Sequence, residues 1–209
     1  MVSPDYFAEL YATAVSEEAD ITATPNIPWL NHEGTDVKNV GLPFNDGIFK
    51  DTKSVAVKTG TVWNKIYSRD LLKRYNIHFC EIPKVIGGDN KFTFGAMMFC
   101  NRLAVNTKAR YYYYREENSI TNKKKSRDDI RIFKLYKEIE TYIDDTPNLS
   151  EKDKNLWHQT LIKRLTRDLG FYLKELESDD DRKYYSELAV VNFPELETVF
   201  SNSTKEPKS

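Results

Sequence analysis

Near Ser126 the chain changes its hydrophobic period, and this change constrains the fold more than any other feature. Before it, apolar residues come in short runs broken by Gly, Pro, Asn and Asp; after it, they recur every third or fourth residue. In the stretch 127–144, Ile130, Phe133, Tyr136, Ile139 and Ile143 carry the repeat. In 151–177, Leu156, Leu161, Leu165, Leu169, Leu173 and Leu176 carry it, and a third helical pattern runs over 181–201. An amphipathic helix must bury its apolar face against another element. The sequence therefore predicts an α/β part over 1–122, a helical extension over 123–202 and a flexible tail over 203–209.

Within the α/β part, Ser3 reads as an N-cap with Pro4 at the first helical position. Phe7, Leu10, Tyr11, Ala14 and Val15 then form one predicted apolar stripe. ADITATP, from Ala19, reads as a short strand ended by Pro25. Scattered Pro, Gly, Asn and Asp over 26–60 predict a long irregular connection. VWNKIY, from Val62, is strand-like, and SRDLLKRYNIHF reads as a helix capped by Ser68 with Leu71, Leu72 and Tyr75 on one face. A helix from about Asn90 to Asn101 and two strands, LAVNT and RYYYYR, complete the pattern.

Several classes are excluded. A net charge of -1 gives no global field for nucleic acid or an anionic membrane. The basic run KKKSR, from Lys123, is followed at once by Asp128 and Asp129, so it reads as a solvated linker. There is no run of 18 apolar residues, no basic-then-apolar leader, no Gly-rich phosphate loop and no GxSxG. Cys80 and Cys100 form no disulfide framework, which points to a reducing cytoplasm. His32, His78 and His158 show no metal-ligand spacing.

The stretch VIGGDNKF, from Val85, sets an aspartate, Asp89, between a flexible turn and an apolar helix. Asp is a favoured helix-entry residue, so an ordinary N-cap turn is one reading. The surrounding phrases favour another. Trp63-Asn64-Lys65-Ile66-Tyr67, Tyr75-Asn76-Ile77-His78-Phe79, Gly88-Asp89-Asn90-Lys91-Phe92 and Tyr112-Tyr113-Tyr114-Arg115 with Asn118-Ser119-Ile120 follow in order. Together they resemble the acceptor-side half of family 2 glycosyltransferases, firmly over about 60 residues by analogy. The N-terminal helix resembles the segment that follows the family's Asp-x-Asp motif.

The resemblance implies a partial GT-A-like, Rossmann-like mixed sheet with flanking helices, followed by the helical extension. It implies inverting transfer of a sugar from a nucleotide-sugar donor to a saccharide acceptor, in cell-surface or capsular polysaccharide synthesis. Asp89 takes the place of the general base, with its carboxylate held ionised by the helix N-terminus. One carboxylate of the family's acidic pair is Gly88 here. Trp63 either stacks on a sugar or fills the core; Lys65 either meets phosphate or acceptor, or is an exposed strand lysine. Asn64 and Asn118 fall in the same substrate-binding set, and Arg115 either offsets diphosphate charge or holds a loop. The family's nucleotide-binding half and Asp-x-Asp are expected to precede the first residue. The divalent cation, Mg or Mn, would belong to that longer enzyme, with none expected in this piece, which would then be inactive. A peripheral contact at the inner face of the membrane follows from what relatives build. The alternative is a non-catalytic, self-associating module that forms a homodimer.

Overall fold

The computed structural model describes residues 1–30, 34, 36–39, 44–114, 125–147 and 149–203. The chain divides into two compact units: Met1–Cys80 with Gly88–Asn122, and Glu81–Gly87 with Lys123–Ser209.

The first unit is mixed α/β. Helix α1 (Tyr6–Ser16) leads into β1 (Ile21–Ala23), β2 (Pro28–Leu30), β3 (Asp36–Asn39) and β4 (Gly47–Phe49). Helix α2 (Thr52–Lys58), β5 (Lys65–Tyr67), α3 (Arg69–Arg74), α4 (Asp89–Phe99), β6 (Leu103–Val105) and β7 (Tyr113–Tyr114) follow. One sheet has the order β4-β6-β1-β5 and a second the order β3-β2-β7. In the first, β1 runs parallel to β6 and antiparallel to β5, with Ile21 opposite both Leu103 and Tyr67. All three residues of β1 are buried, as expected of a strand covered on both faces. On one face Ile66 packs against Tyr6 and Leu10 of α1; on the other the Tyr67 ring meets Phe92 of α4 edge-on at 5.0 Å.

Three expectations are corrected here. First, Ser3 does not cap α1. Its hydroxyl accepts the Arg110 N–H at 3.3 Å and its N–H donates to the Arg110 carbonyl at 3.0 Å, tying the start of the chain to the segment before β7. The stripe on α1 is also split: Tyr6 and Leu10 are buried, whereas Phe7, Tyr11 and Val15 are 66%, 68% and 60% exposed. Spacing marks the rows of a helix; the neighbouring sheet decides which row is covered. Second, the described residues of 26–60 are not wholly irregular. They hold β2, β3, β4 and α2; β3 pairs with the neighbouring β2, whereas β2 and β4 also pair with residues far along the chain, as Trp29 opposite Tyr113 and Ile48 opposite Ala104 show. Helix α2 carries a local signal as well, because the Asp51 carboxylate accepts the Ser54 N–H at 3.1 Å. Third, the strand at VWNKIY begins only at Lys65, and Trp63 and Asn64 occupy the turn before it.

The second unit is helical: α5 (Arg131–Asp144), α6 (Glu151–Lys174), α7 (Asp179–Asn192), a 3-10 turn (Pro194–Leu196) and α8 (Glu197–Ser203). Ser150 and Ser178 cap α6 and α7, accepting the N–H of Asp153 at 3.1 Å and of Asp181 at 3.0 Å. Phe133, Ile139 and Ile143 of α5 and Leu161, Leu165 and Leu169 of α6 are buried, which accounts for the heptad-like spacing. Ile130 and Leu156 share that spacing but remain exposed. The third helical pattern is broken at Phe193, because Pro194 cannot continue the ladder. A polar contact within this core is satisfied: the Tyr136 hydroxyl donates to Asp168 at 2.6 Å, and Arg164 Nε donates to the same oxygen at 3.1 Å. Among the described residues, no helix is long and apolar enough to cross a membrane.

Candidate active site

The candidate site gathers where α4 begins. Gly87, with φ +77°, takes the left-handed conformation that glycine adopts without steric cost, and Gly88 then opens the helix. Asp89 is the first helical residue, and its carboxylate is half-buried. Burial pushes this carboxyl above its ordinary value. The positive charge of Lys65 and a hydrogen bond from the Val62 N–H act in the opposite direction and do not fully offset it. The expectation that the helix N-terminus would leave Asp89 readily ionised is thus corrected, since desolvation outweighs the favourable contacts.

The turn before β5 is tied to both α4 and the sheet. From α4, the Thr93 hydroxyl lies 3.1 Å from the Gly60 carbonyl and 2.8 Å from that of Asp89. Asn64 is fully buried: its amide donates to the Thr24 carbonyl at 2.9 Å, and its Oδ1 accepts from the Thr61 hydroxyl and from Lys65 Nζ, both at 2.8 Å. Lys65 is 6% exposed, which corrects the reading of an exposed strand lysine. Its ammonium also donates to the Thr61 carbonyl and approaches the Thr59 and Thr61 hydroxyls at 3.4 Å. Trp63 sits half-buried against Tyr111 and Tyr113, with ring centroids at 4.3 and 5.4 Å, and its carbonyl accepts the Tyr6 hydroxyl at 3.0 Å. It fills a seam of aromatic rings that continues from Tyr113 to Trp29 at 5.5 Å.

The structure therefore joins Lys65 and Asn64 at the turn before β5, and the charge of Lys65 acts on Asp89 at the start of α4. Arg115 and Asn118 lie outside the described residues. One neighbour escaped the sequence reading: Tyr67, two residues after Lys65 on the same face of β5. Its hydroxyl is buried without a hydrogen-bond partner, and burial together with the charge of Asp89 pushes its pKa far up. The alternation of side chains along a strand was the signal that could have found it. Among the described residues, no cluster of three or more His, Cys, Asp or Glu side chains provides a donor set for a metal ion.

The mixed sheet with flanking helices is a glycosyltransferase-like fold, as similar solved structures show. S. aureus TarS 1–349 in complex with UDP-GlcNAc is similar at a TM-score of 0.63 and 20% identity, over 89% of this chain and 52% of that one. TarS 1–349 in complex with UDP is similar at a TM-score of 0.60 and 19% identity, over 93% and 54%. The chain spans about half the length of these TarS chains. No family model matches the sequence, and no curated protein matches it.

Proposed function

We propose that this chain is the acceptor-side portion of an inverting glycosyltransferase of the family 2 type and GT-A fold, with Asp89 as its general base. The observation that carries the reading is the half-buried Asp89 carboxylate at the entrance of α4, introduced by the glycine turn at Gly87 and Gly88. An alcohol is a weak nucleophile. As the acceptor oxygen bonds to the anomeric carbon of the donor sugar, its proton passes to Asp89 and the nucleoside diphosphate departs with the electrons of the broken bond. A carboxylate raised above its ordinary value suits this task, because it holds the incoming proton more firmly. The UDP and UDP-GlcNAc complexes of TarS support a UDP-sugar donor. The acceptor is a saccharide of a cell-surface polymer, and the reaction takes place in the cytoplasm.

In this reading the donor site and the divalent ion belong to the half of the enzyme outside this chain, and the chain by itself transfers nothing. Asn64 and Lys65 are both buried and joined by a hydrogen bond at 2.8 Å. The test is UDP-sugar turnover by the enzyme carrying both halves. Asp89→Asn should lower kcat by about 10²–10⁴-fold, the range for general base catalysis, with the fold intact. Turnover at the parent rate would refute the assignment.

A second reading rests on the exposed Phe7, Tyr11 and Val15 of α1. Such a row favours self-association, and the chain would then work as a non-catalytic dimer. Light scattering with a UDP-sugar titration separates the two: a stable dimer indifferent to the nucleotide supports the second.

A further inference from the structure

We propose that the exposed face of α6 docks on an anionic lipid surface through Lys152, Lys163, Arg167 and Lys174, with Leu156 and Phe171 set between them. The assignment concerns the helical unit alone and is independent of the reading of Asp89.

The steps along Lys152, Leu156, Lys163, Arg167 and Lys174 are four, seven, four and seven residues. Eleven residues make about three helical turns, so these side chains share one stripe, about 33 Å long at 1.5 Å per residue. Each of them is exposed, whereas the opposite row of α6, with Leu161, Leu165 and Leu169, is buried. The apolar members are not covered either: Leu156 is 37% and Phe171 59% exposed. Side chains three and four apart on a helix are neighbours, and the Phe171 ring takes Arg167 at 5.8 Å and Lys174 at 6.0 Å from its centroid. The acids of α6 are committed elsewhere. Glu151 lies 3.6 Å from Lys154, Asp168 lies 3.1 Å from Arg164, and Asp153 accepts the Ser150 hydroxyl at 2.7 Å. A chain of net charge -1 thus gathers four cations on one helix face.

The chemistry of the stripe selects its occupant. A second copy would set like charge against like charge. A soluble polyanion would use the cations and leave Leu156 and Phe171 in water. A bilayer surface uses both: its anionic headgroups meet the ammonium and guanidinium groups, and the apolar side chains enter the boundary beneath them with the lysine stems alongside. Gly170 stands between Arg167 and Lys174. Glycine costs stability in the middle of a helix, and a Cβ here would meet nothing within 4 Å, so internal packing does not require it. Its bare backbone lets a headgroup come close between the two cations.

The test is sedimentation of the 209-residue chain with phosphatidylcholine vesicles, with and without phosphatidylglycerol. The chain should pellet with the anionic vesicles and stay in solution with the neutral ones, and added salt should release it. Each cation near such a surface contributes about fivefold to partition, so Lys163→Gln/Arg167→Gln/Lys174→Gln should bind about a hundredfold more weakly. Phe171→Ser should bind about tenfold more weakly and keep the salt dependence. Circular dichroism checks the folding of each variant. Should the triple variant not fold, the comparison of the two vesicles together with Phe171→Ser decides. Equal sedimentation with both vesicles, or parent-like binding by the triple variant, overturns the proposal. So does parent-like binding by Phe171→Ser with release by inorganic polyphosphate, which would make a soluble polyanion the partner. None of these outcomes alters the expected effect of Asp89→Asn on turnover.

Discussion

Replacing Asn64 with leucine removes the amide that joins β1, the turn and Lys65, and the loss can be worked out group by group. The Thr24 carbonyl loses a donor at 2.9 Å and, being buried, is left with an unmet acceptor worth about 1–3 kcal/mol. Lys65 Nζ loses a charge-assisted bond at 2.8 Å, worth about 1.5–3 kcal/mol, although the Thr61 carbonyl still holds it. The Thr61 hydroxyl retains Thr59 Oγ1 at 2.9 Å and loses little. The leucine side chain, of similar volume, returns about 1–2 kcal/mol through burial. The net destabilisation of the α/β unit should be about 2–3 kcal/mol. Urea unfolding followed by the emission of Trp29 and Trp63 measures it, in a Trp157→Phe background so that the helical unit contributes no signal. A double-mutant cycle with Lys65→Met should return a coupling of about 1–2 kcal/mol, because the two side chains share one bond. Strict additivity, or a parent-like midpoint for Asn64→Leu, would refute this reading of the Asn64 contacts.

Leu165→Ala, at a position with no solvent exposure in α6, should cost the helical unit about 2–5 kcal/mol in urea unfolding followed at 222 nm. The Asp129 carboxyl lies below its ordinary value, chiefly through its hydrogen bond with Arg131 at 2.6 Å. Its contribution is therefore present above the unfolded value near pH 4 and is lost as pH falls through the folded one, so Asp129→Asn should flatten that acid limb by no more than about 1 kcal/mol given the exposed arginine. Burial pushes the Cys100 thiol up to about 12, so iodoacetamide at pH 8 should label the less buried Cys80 well before Cys100, and equal rates would count against this burial.

Much of the fold can be read from short-range signals. Ser68 accepts the Leu71 N–H and caps α3, as the run SRDLL indicates, and Ser150 and Ser178 show the same chemistry ahead of α6 and α7. The repeats ending at Ile143 and Leu176 identify α5 and α6 because a helix buries every third or fourth residue. Strands β2, β3 and β4 were not legible. Three or four residues carry no usable period, and the pairing of β2 and β4 depends on distant residues such as Tyr113 and Ala104. At the candidate site, Asp89 stands out through its phrase, but the burial of Lys65 and the orphan hydroxyl of Tyr67 do not. A lysine on a short strand reads as exposed until the turn closes over it.

What the sequence by itself determined are features set within a few residues: the Ser68 cap, the helix periods of α5 and α6, and the glycine turn that introduces Asp89. These follow from backbone sterics and neighbouring hydrogen bonds, which act over one turn of chain. The tertiary structure alone decided which row of α1 is covered, which short runs become strands, and that Lys65 is buried while Asp89 is partly dehydrated. Those outcomes depend on removing water by bringing together residues distant in the chain, and no local pattern encodes that.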